Sequence, residues 1–505
     1  MVKLTLKQLP NYWCVILACF AGYATTLAFS PHDYSTLAII GPALLIILWR
    51  NMNPKVAFFI GYCYGIGFFA SSVWWVVISL HQQGHLALPL AWLAVMFFMS
   101  YLALYPALCG WICNRFFHNH TKLYYLLVIP CCWTLTEALR SYVLTGFPWM
   151  LLGYSQSNSW LSGYAPILGS YGLGTLLLFL AGVIAYFIPR KITGFSCIIL
   201  FFAVIFGLGY GLCKVNWSTS EDSPIKVSLI QGNIHQSDKW SKEQFFSILN
   251  RYNHLIHAEL GENIIILPES ALPASDWYLH DFLNHLQQLA EQTQSVILLG
   301  VPSQTSEMFN NNTYFNALYG LGLKTPLRYS KRHLVPFGEY LTFLSGVSFI
   351  LDYLQIPMSS FIPGPQKVRP FKLPRTIIQP LICYEIAYSD LVYSNLPEAK
   401  AILVVNDDSW FGESAAADQH LQIAQLRAAE TRRFILFESN TGITAIINPF
   451  GQIIQRIPQN QIAVLRGYFY NMQGMTPIVR YGDSMIFACC LILLLLIKLR
   501  HRLAF

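Results

Sequence analysis

Eight long apolar runs constrain what this chain can fold into. They fall at about 11–29, 35–50, 55–80, 86–112, 121–140, 165–188, 194–213 and 484–499. A helix needs about 20 largely apolar residues to cross a bilayer, so each run is read as a membrane span, the second being short and the fifth interrupted. Charged residues make up only 11% of the chain, against about 25% in ordinary globular proteins. That deficit sits in residues 11–213, whereas 222–475 has a mixed, soluble-type composition. The polar stretch "NWSTSEDSP" separates the two. The expected domains are therefore a bundle over 1–217, an extramembrane domain over 222–475 and a last helix over 484–499.

Lysine and arginine orient the spans. Lys3 and Lys7 precede the first, Arg50 and Lys55 lie between the second and third, and Arg115 and Lys122 between the fourth and fifth. Arg190 and Lys191 lie between the sixth and seventh, and Lys498, Arg500 and Arg502 come at the end. The alternate loops "SPHDYS" and "HQQGH" have neither residue. Basic loops stay cytoplasmic. Both termini are thus expected in the cytoplasm and the soluble domain on the far side, the periplasm of a bacterial inner membrane. "VILAC" before Phe20 resembles a lipoprotein cleavage box, but the apolar run continues past it, so the segment is read as retained. The net charge of +7 comes from dispersed basic residues and does not indicate nucleic-acid binding.

Of twelve cysteines, eleven lie in apolar runs, and Cys383 is alone between Ser223 and Met475. A lone thiol in an oxidising compartment is either a small core residue or a nucleophile with helpers. The surrounding sequence alternates apolar strands with amphipathic helices. "IKVSLIQGN", "NIIILPES", "SVILLGVPS", "TIIQPLICYE" and "AILVVND" read as strands, the continuous runs being buried on both faces. "SKEQFFSILNRYNHLIHAEL", "FLNHLQQLAEQT" and "DQHLQIAQLRAAETRR" read as helices. "FILFESN" and "TAIINPFG" read as paired strands with a turn at "NPFGQ". The fold class is a helical membrane bundle plus a layered α/β domain.

Three polar residues stand at strand ends or nearby: Glu269 in "LPES", Lys331 in "KRHLVPFGEY" and Cys383 in "CYEIAY". Strand ends are where α/β folds expose reacting groups. A thiol needs a base, a buried carboxylate can be that base, and a lysine can steady an oxyanion. Taken singly, Glu269 reads equally as a strand cap and Lys331 as a solvated surface charge.

These segments resemble the three catalytic segments of the nitrilase superfamily. With this many spans attached, the chain resembles the apolipoprotein N-acyltransferase family nearly end to end. "WTLTEALRSYVLTGFPW" and "GYSQ" in the apolar half, and "WFG", "QH" and "NTGITA" in the soluble half, carry the same resemblance. It implies a nitrilase-like αββα sandwich with Glu269 as general base, Lys331 as oxyanion stabiliser and Cys383 as nucleophile. It also implies that Glu339 supports the lysine, that Tyr384 and Glu385 follow the nucleophile functionally, and that Trp240 and Trp410 handle substrate. The implied partners are a phospholipid acyl donor, a diacylglyceryl apolipoprotein acceptor and the bilayer, with no cofactor and no metal, and the chain is expected to be a monomer. One position departs from the family pattern: "NDDSWFG" puts Asp407 where asparagine is expected, which unsettles the local hydrogen bonding.

Two rival classes can be set against this. A tethered nitrilase-like amidohydrolase shares the triad but needs no apolar segment beside its cleft. A transporter would place ionisable residues deep in several spans, and here only the fifth has them. Within it, Glu137 and Arg140 can pair at i,i+3, either orienting that span or supporting a cleft. His254 and His257 lack the further ligands of a metal site, and "GSYGLG" reads as small-residue helix packing. The apolar stretch 341–364 is expected to form an arm over the cleft, dipping into the outer leaflet.

Overall fold

The structure is a computed structural model that describes residues 11–117, 122–221, 223–261, 264–304, 313–336, 338–340 and 361–503. The chain divides into two compact units. One contains residues up to Val77, Pro89–Val215 and Pro477 onward, and the other contains Ile78–Leu88 and Asn216–Thr476.

The first unit is helical: α1 Asn11–Thr26, α2 Leu37–Leu48, α3 Pro54–Ser72, α4 Leu88–Phe116, α5 Ile129–Tyr142, α6 Ala165–Phe187, α7 Lys191–Cys213 and α8 Asp483–Leu503. Glycine lets α1 and α3 touch backbone to backbone. A Cβ on Gly67 would lie 2.1 Å from the Cys19 carbonyl oxygen, and one on Gly22 would lie 2.1 Å from that of Tyr64. This is small-residue packing of the kind helices use in lipid. Gly169 in "GSYGLG" breaks α6, with φ 62° and ψ −174°. Close approach occurs here too, because a Cβ on Gly153 would meet the Ser170 carbonyl oxygen at 2.1 Å.

Among the described residues, three helices are long and apolar enough to cross a membrane, or four if a bent pair counts as one. At about 1.5 Å per residue, the 12 residues of α2 reach only about 18 Å. The run expected to cross at 55–80 ends as a helix at Ser72 and bends by 61° into Val76–Gln83.

The second unit has two six-stranded sheets. Its strands are β1 Ile225–Gln231, β2 Ile264–Ile266, β3 Val296–Gln304, β4 Tyr314–Leu321, β5 Leu327–Ser330, β6 Phe371–Leu373, β7 Thr376–Ile382, β8 Ala401–Asn406, β9 Phe434–Ser439, β10 Thr444–Ile447, β11 Ile453–Ile457 and β12 Ala463–Phe469. The first sheet runs β12-β1-β2-β3-β4-β5 and the second β11-β10-β9-β8-β7-β6. Val227, Leu229, Ile264, Ile266 and Leu298 from one sheet meet Ile378, Leu403, Val405 and Leu436 from the other in a single core. Alternation turns Ile230, Ile265, Ile297 and Leu299 outward onto helices α9 (Phe245–Glu259) and α10 (His280–Gln292). This two-faced burial explains the continuous Val/Ile/Leu runs, each fully buried side chain contributing about 1.5–3 kcal/mol. Helix α11 (Ala416–Thr431) is buried on all sides.

β9 and β10 pair antiparallel as expected, Leu436 opposite Ile446. The turn in "NPFGQ" belongs to the next hairpin, β10–β11. Residues 341–360 of the expected arm lie outside the described residues. Just after them, Phe361 is buried, and its N–H donates to the Glu339 carbonyl at 3.1 Å.

Candidate active site

Glu269 sits three residues past β2, in a turn clamped from behind by β3. Gly300 makes this possible, since a Cβ there would lie 2.5 Å from both the Pro268 carbonyl oxygen and the Ser270 nitrogen. Real Cβ atoms do not tolerate such contacts, so any side chain at this position would displace the glutamate. Lys331 directly follows β5. Its N–H donates to the Asn316 carbonyl at 2.8 Å, and its own carbonyl accepts from Gly364 N–H at 2.7 Å. The lysine is therefore fixed at both ends of its peptide unit.

The side chains converge. Lys331 Nζ lies 3.1 Å from Glu269 Oε1 and 3.0 Å from Glu339 Oε1, and all three residues are buried. Asn316 Nδ2 donates to the same two carboxylate oxygens at 2.7 Å each. The second oxygen of Glu339 accepts from Val335 N–H at 2.8 Å. Burial pushes the Glu269 carboxyl above the ordinary range. Lys331 pulls it back, while the negative charge of Glu339 pushes it up again. Burial alone would lower the Lys331 ammonium, but Glu269 and Glu339 outweigh it and hold the pKa well above the usual value.

Cys383 opens the short 3₁₀ turn Cys383–Ala387 at the end of β7. Its φ of 52° is left-handed, which is uncommon for a residue with a Cβ and stores strain at the elbow. Burial pushes its thiol well above the usual pKa, the charge of Glu269 adds to this, and Lys331 opposes it. Any reaction through this thiol would therefore need a base to take its proton.

The elbow is pinned on several sides. Glu385 accepts from Ile382 N–H at 2.8 Å, Arg332 N–H at 2.7 Å and the Tyr329 hydroxyl at 2.7 Å. It thereby ties the Cys383 turn to the lysine segment. Burial raises its carboxyl against the pull of these hydrogen bonds. Arg427, fully buried on α11, donates to the carbonyls of Ile386 at 3.0 Å and Ala387 at 2.7 Å. His420 bridges the Cys383 carbonyl (Nε2, 3.2 Å) and Asp408 Oδ1 (Nδ1, 3.1 Å). Tyr384 packs edge-on against Tyr388, ring centroids 5.2 Å apart.

Asp407, the position that departs from the family pattern, is fully answered. It pairs with buried Lys239, and it accepts from Asn440 Nδ2 at 3.1 Å and Ser409 N–H at 3.2 Å. Lys239 also donates to the Glu269 carbonyl at 3.1 Å. Next to these residues, Trp240 and Trp410 line one cavity of about 500 Å³.

Sequence reasoning missed Asn316, Lys239, Arg427 and the Asp408–His420 pair as parts of this site. The signal for Asn316 is present, because asparagine is unusual inside a strand such as "YFNALYG". No group of three metal-ligating side chains occurs among the described residues.

Two family models match this chain: the apolipoprotein N-acyltransferase N-terminal domain over residues 21–183, and carbon-nitrogen hydrolase over residues 226–467. An apolipoprotein N-acyltransferase from Coxiella burnetii is 38% identical over 483 residues, covering 95% of this chain and 99% of that one. The chain belongs to the apolipoprotein N-acyltransferase family. Relatives of the same name from Nitrosomonas europaea (36% identical, 96% of this chain and 97% of that one) and Vibrio vulnificus (38%, 93% of each) agree. The nitrilase-type α/β domain of this family is the unit that carries Glu269, Lys331 and Cys383.

Proposed function

We propose that this chain moves an acyl group from a membrane phospholipid to the α-amine of a lipoprotein's N-terminal diacylglyceryl-cysteine, by way of a thioester on Cys383. The observation that carries the reading is the buried Glu269–Lys331–Glu339 cluster in electrostatic reach of a thiol on a strained elbow. Glu269, its basicity raised by burial, takes the thiol proton as Sγ attacks the ester carbonyl. Lys331 has three ammonium donors. Two are engaged by Glu269 and Glu339, which leaves one for the oxyanion, beside a backbone N–H. Collapse breaks the ester C–O bond, and the leaving lysophospholipid alkoxide takes the proton held by Glu269. In the second half, the amine attacks the thioester. Glu269 accepts its proton and returns one to the departing thiolate, leaving an amide and the free thiol.

In this reading Glu385, Tyr384, Arg427 and His420 hold the elbow, and Trp240 and Trp410 contact substrate. Residues 1–217 and 484–499 form the membrane part, with all eight apolar runs inserted. Residues 222–475 lie in the periplasm, both termini in the cytoplasm, and the enzyme works as a monomer without a cofactor. Membership of an acyltransferase family over nearly the whole length favours transfer over hydrolysis of a small amide. The test is mass spectrometry of the purified chain after incubation with phospholipid. An acyl adduct is expected on the peptide carrying Cys383 and absent from Cys383→Ala. An adduct of equal amount in the variant defeats the assignment.

A further inference from the structure

The cavity of about 500 Å³ next to the catalytic cluster combines the rings of Trp240 and Trp410 with a distinctive set of polar side chains. Five side-chain amides line it: Gln82, Gln83, Gln236, Gln459 and Asn460. The hydroxyls of Ser237, Ser409 and Thr441 join them. Among the described residues its lining holds no lysine or arginine, its two imidazoles are His85 and His235, and its one carboxylate, Glu413, accepts a hydrogen bond from Asn460 Nδ2 at 3.0 Å. Pockets that hold a phosphate supply cations, and an unopposed carboxylate repels one. A phospholipid head group therefore meets no lysine or arginine among the described lining residues. Carboxamides each offer both a donor and an acceptor, which is the complement of a peptide main chain.

The cavity also lies where such a chain would have to leave the reacting centre. Trp240 follows Lys239, whose ammonium holds the Glu269 carbonyl. Ser409 and Trp410 follow Asp408, which is one hydrogen bond from the histidine on the Cys383 carbonyl. An amine presented to Glu269 and a Cys383 thioester would trail its peptide past these two turns.

We infer that this cavity holds the first residues of the acceptor peptide beyond its lipidated cysteine, gripping main-chain amides rather than particular side chains. The inference rests on the acyl-transfer reading above. It explains how one enzyme could serve acceptors of many sequences, since amide-to-amide contacts ignore side-chain identity. Each neutral hydrogen bond contributes modestly, so a few of them are enough to favour a peptide-bearing acceptor.

The experiment measures transfer from a preformed Cys383 thioester on the purified full chain to two acceptors. One is diacylglyceryl-cysteine amide. The other is the same lipidated cysteine followed by five alternating glycine and serine residues. The peptide-bearing acceptor is expected to half-saturate at about tenfold lower concentration. In Gln83→Ala, in Gln459→Ala and in the double variant the two acceptors should converge to within about twofold. Equal half-saturation by wild type overturns the inference, as does a preference that survives in the variants. Slower thioester formation from phospholipid in those variants, with the acceptor preference intact, also overturns it in favour of a head-group site. If wild type forms no Cys383 thioester, the acyl-transfer reading itself fails, a result distinct from all of these.

Discussion

In the helical unit, Arg140 lies 3.9 Å from Glu137, one turn away on α5, and both are buried. In the α/β unit, Lys331 lies 3.1 Å from Glu269, which is 62 residues distant in sequence. The guanidinium spends its donors on the carbonyls of Phe147 and Trp149, both at 2.6 Å. The Leu152 N–H reaches Glu137 at 3.4 Å. That pair binds a loop to a helix, a task suited to the planar, many-donor arginine fork. The ammonium is a compact charge shared between two carboxylates, and an amide steadies the same oxygens. The cost of burying charge is met in one unit by anchoring backbone and in the other by setting two carboxylates against one ammonium. On the acyl-transfer reading, burial alone does not mark a catalytic charge. What sets the proposed site apart is convergence of charged groups from distant parts of the chain.

Removing the cation from each pair tests that contrast most strongly. Arg140→Met leaves Glu137 without its cation and the Phe147 and Trp149 carbonyls without their partner side chain. Breaking a buried pair in this way costs about 3–5 kcal/mol. The expected outcome is a marked drop in the thermal unfolding temperature of the detergent-purified chain, while the acylation rate per folded molecule is retained. A variant that unfolds normally but has lost chemistry would give Arg140 a role in the site. Lys331→Met should do the reverse. Glu269 and Glu339 can then share a proton, so the fold survives. The first half-reaction loses its oxyanion donor, which costs about 2.7–4 kcal/mol, or roughly a hundred- to thousandfold in rate. Single-turnover acylation within tenfold of wild type would make the lysine structural.

The two sites were legible in the sequence to different degrees. Glu137 and Arg140 share a helical face at i,i+3, so their pairing follows from helix geometry. What they hold does not, because the 147–152 loop returns only in three dimensions. Glu269, Lys331 and Cys383 could be read because each stands beside an apolar strand in a recognisable segment. Asn316 could not, since its two partners lie 47 and 23 residues away in sequence. Nor could Lys239, which meets Asp407 from 168 residues away. Asp407 looked anomalous as a departure from a pattern, and its anchor is that same lysine. Among the strands, the buried ones announced themselves by composition. The outer β12 alternates buried and exposed positions along Leu465–Phe469, and β11 is largely exposed. Neither carries a continuous apolar signal. The bend after Ser72 was hidden because apolar residues run straight through it.

Another buried carboxylate sharpens the contrast by having no cation partner among the described residues. Glu438 on β9 shares the inter-sheet face with Phe434 and Leu436 and is fully buried. Neither of its oxygens meets the distance and angle of a hydrogen bond among the described residues. Burial raises its pKa well above the ordinary value, with only the Thr444 hydroxyl opposing. A carboxyl raised in the folded state contributes stability below its unfolded pKa, near 4.3, and loses it as pH rises through the folded value. Glu438→Met should therefore stabilise the chain at neutral pH by about 1–3 kcal/mol. The gain should shrink as pH falls toward 4. A variant less stable than wild type at pH 7 would mean that Glu438 has a partner worth keeping.

The smallest expected effect isolates the interaction between the two carboxylates on Lys331. Glu339 pushes the Glu269 carboxyl upward. If Glu269 must be ionised to accept the Cys383 proton, acylation falls as pH drops through the Glu269 pKa. Glu339→Gln removes that push while Glu269 still holds the lysine in its charged form. The acid limb of the acylation profile should then move to lower pH. The absolute rate also falls, because the glutamine amide cannot accept both from Val335 N–H and from the lysine side as the carboxylate does. The midpoint is independent of that loss, and this separates an electrostatic partner of the base from a residue that only packs. A limb that stays in place shows that Glu339 does not tune the titrating group. A limb that moves upward shows that the titrating group is not Glu269, since removing a neighbouring negative charge cannot make a carboxylate harder to ionise.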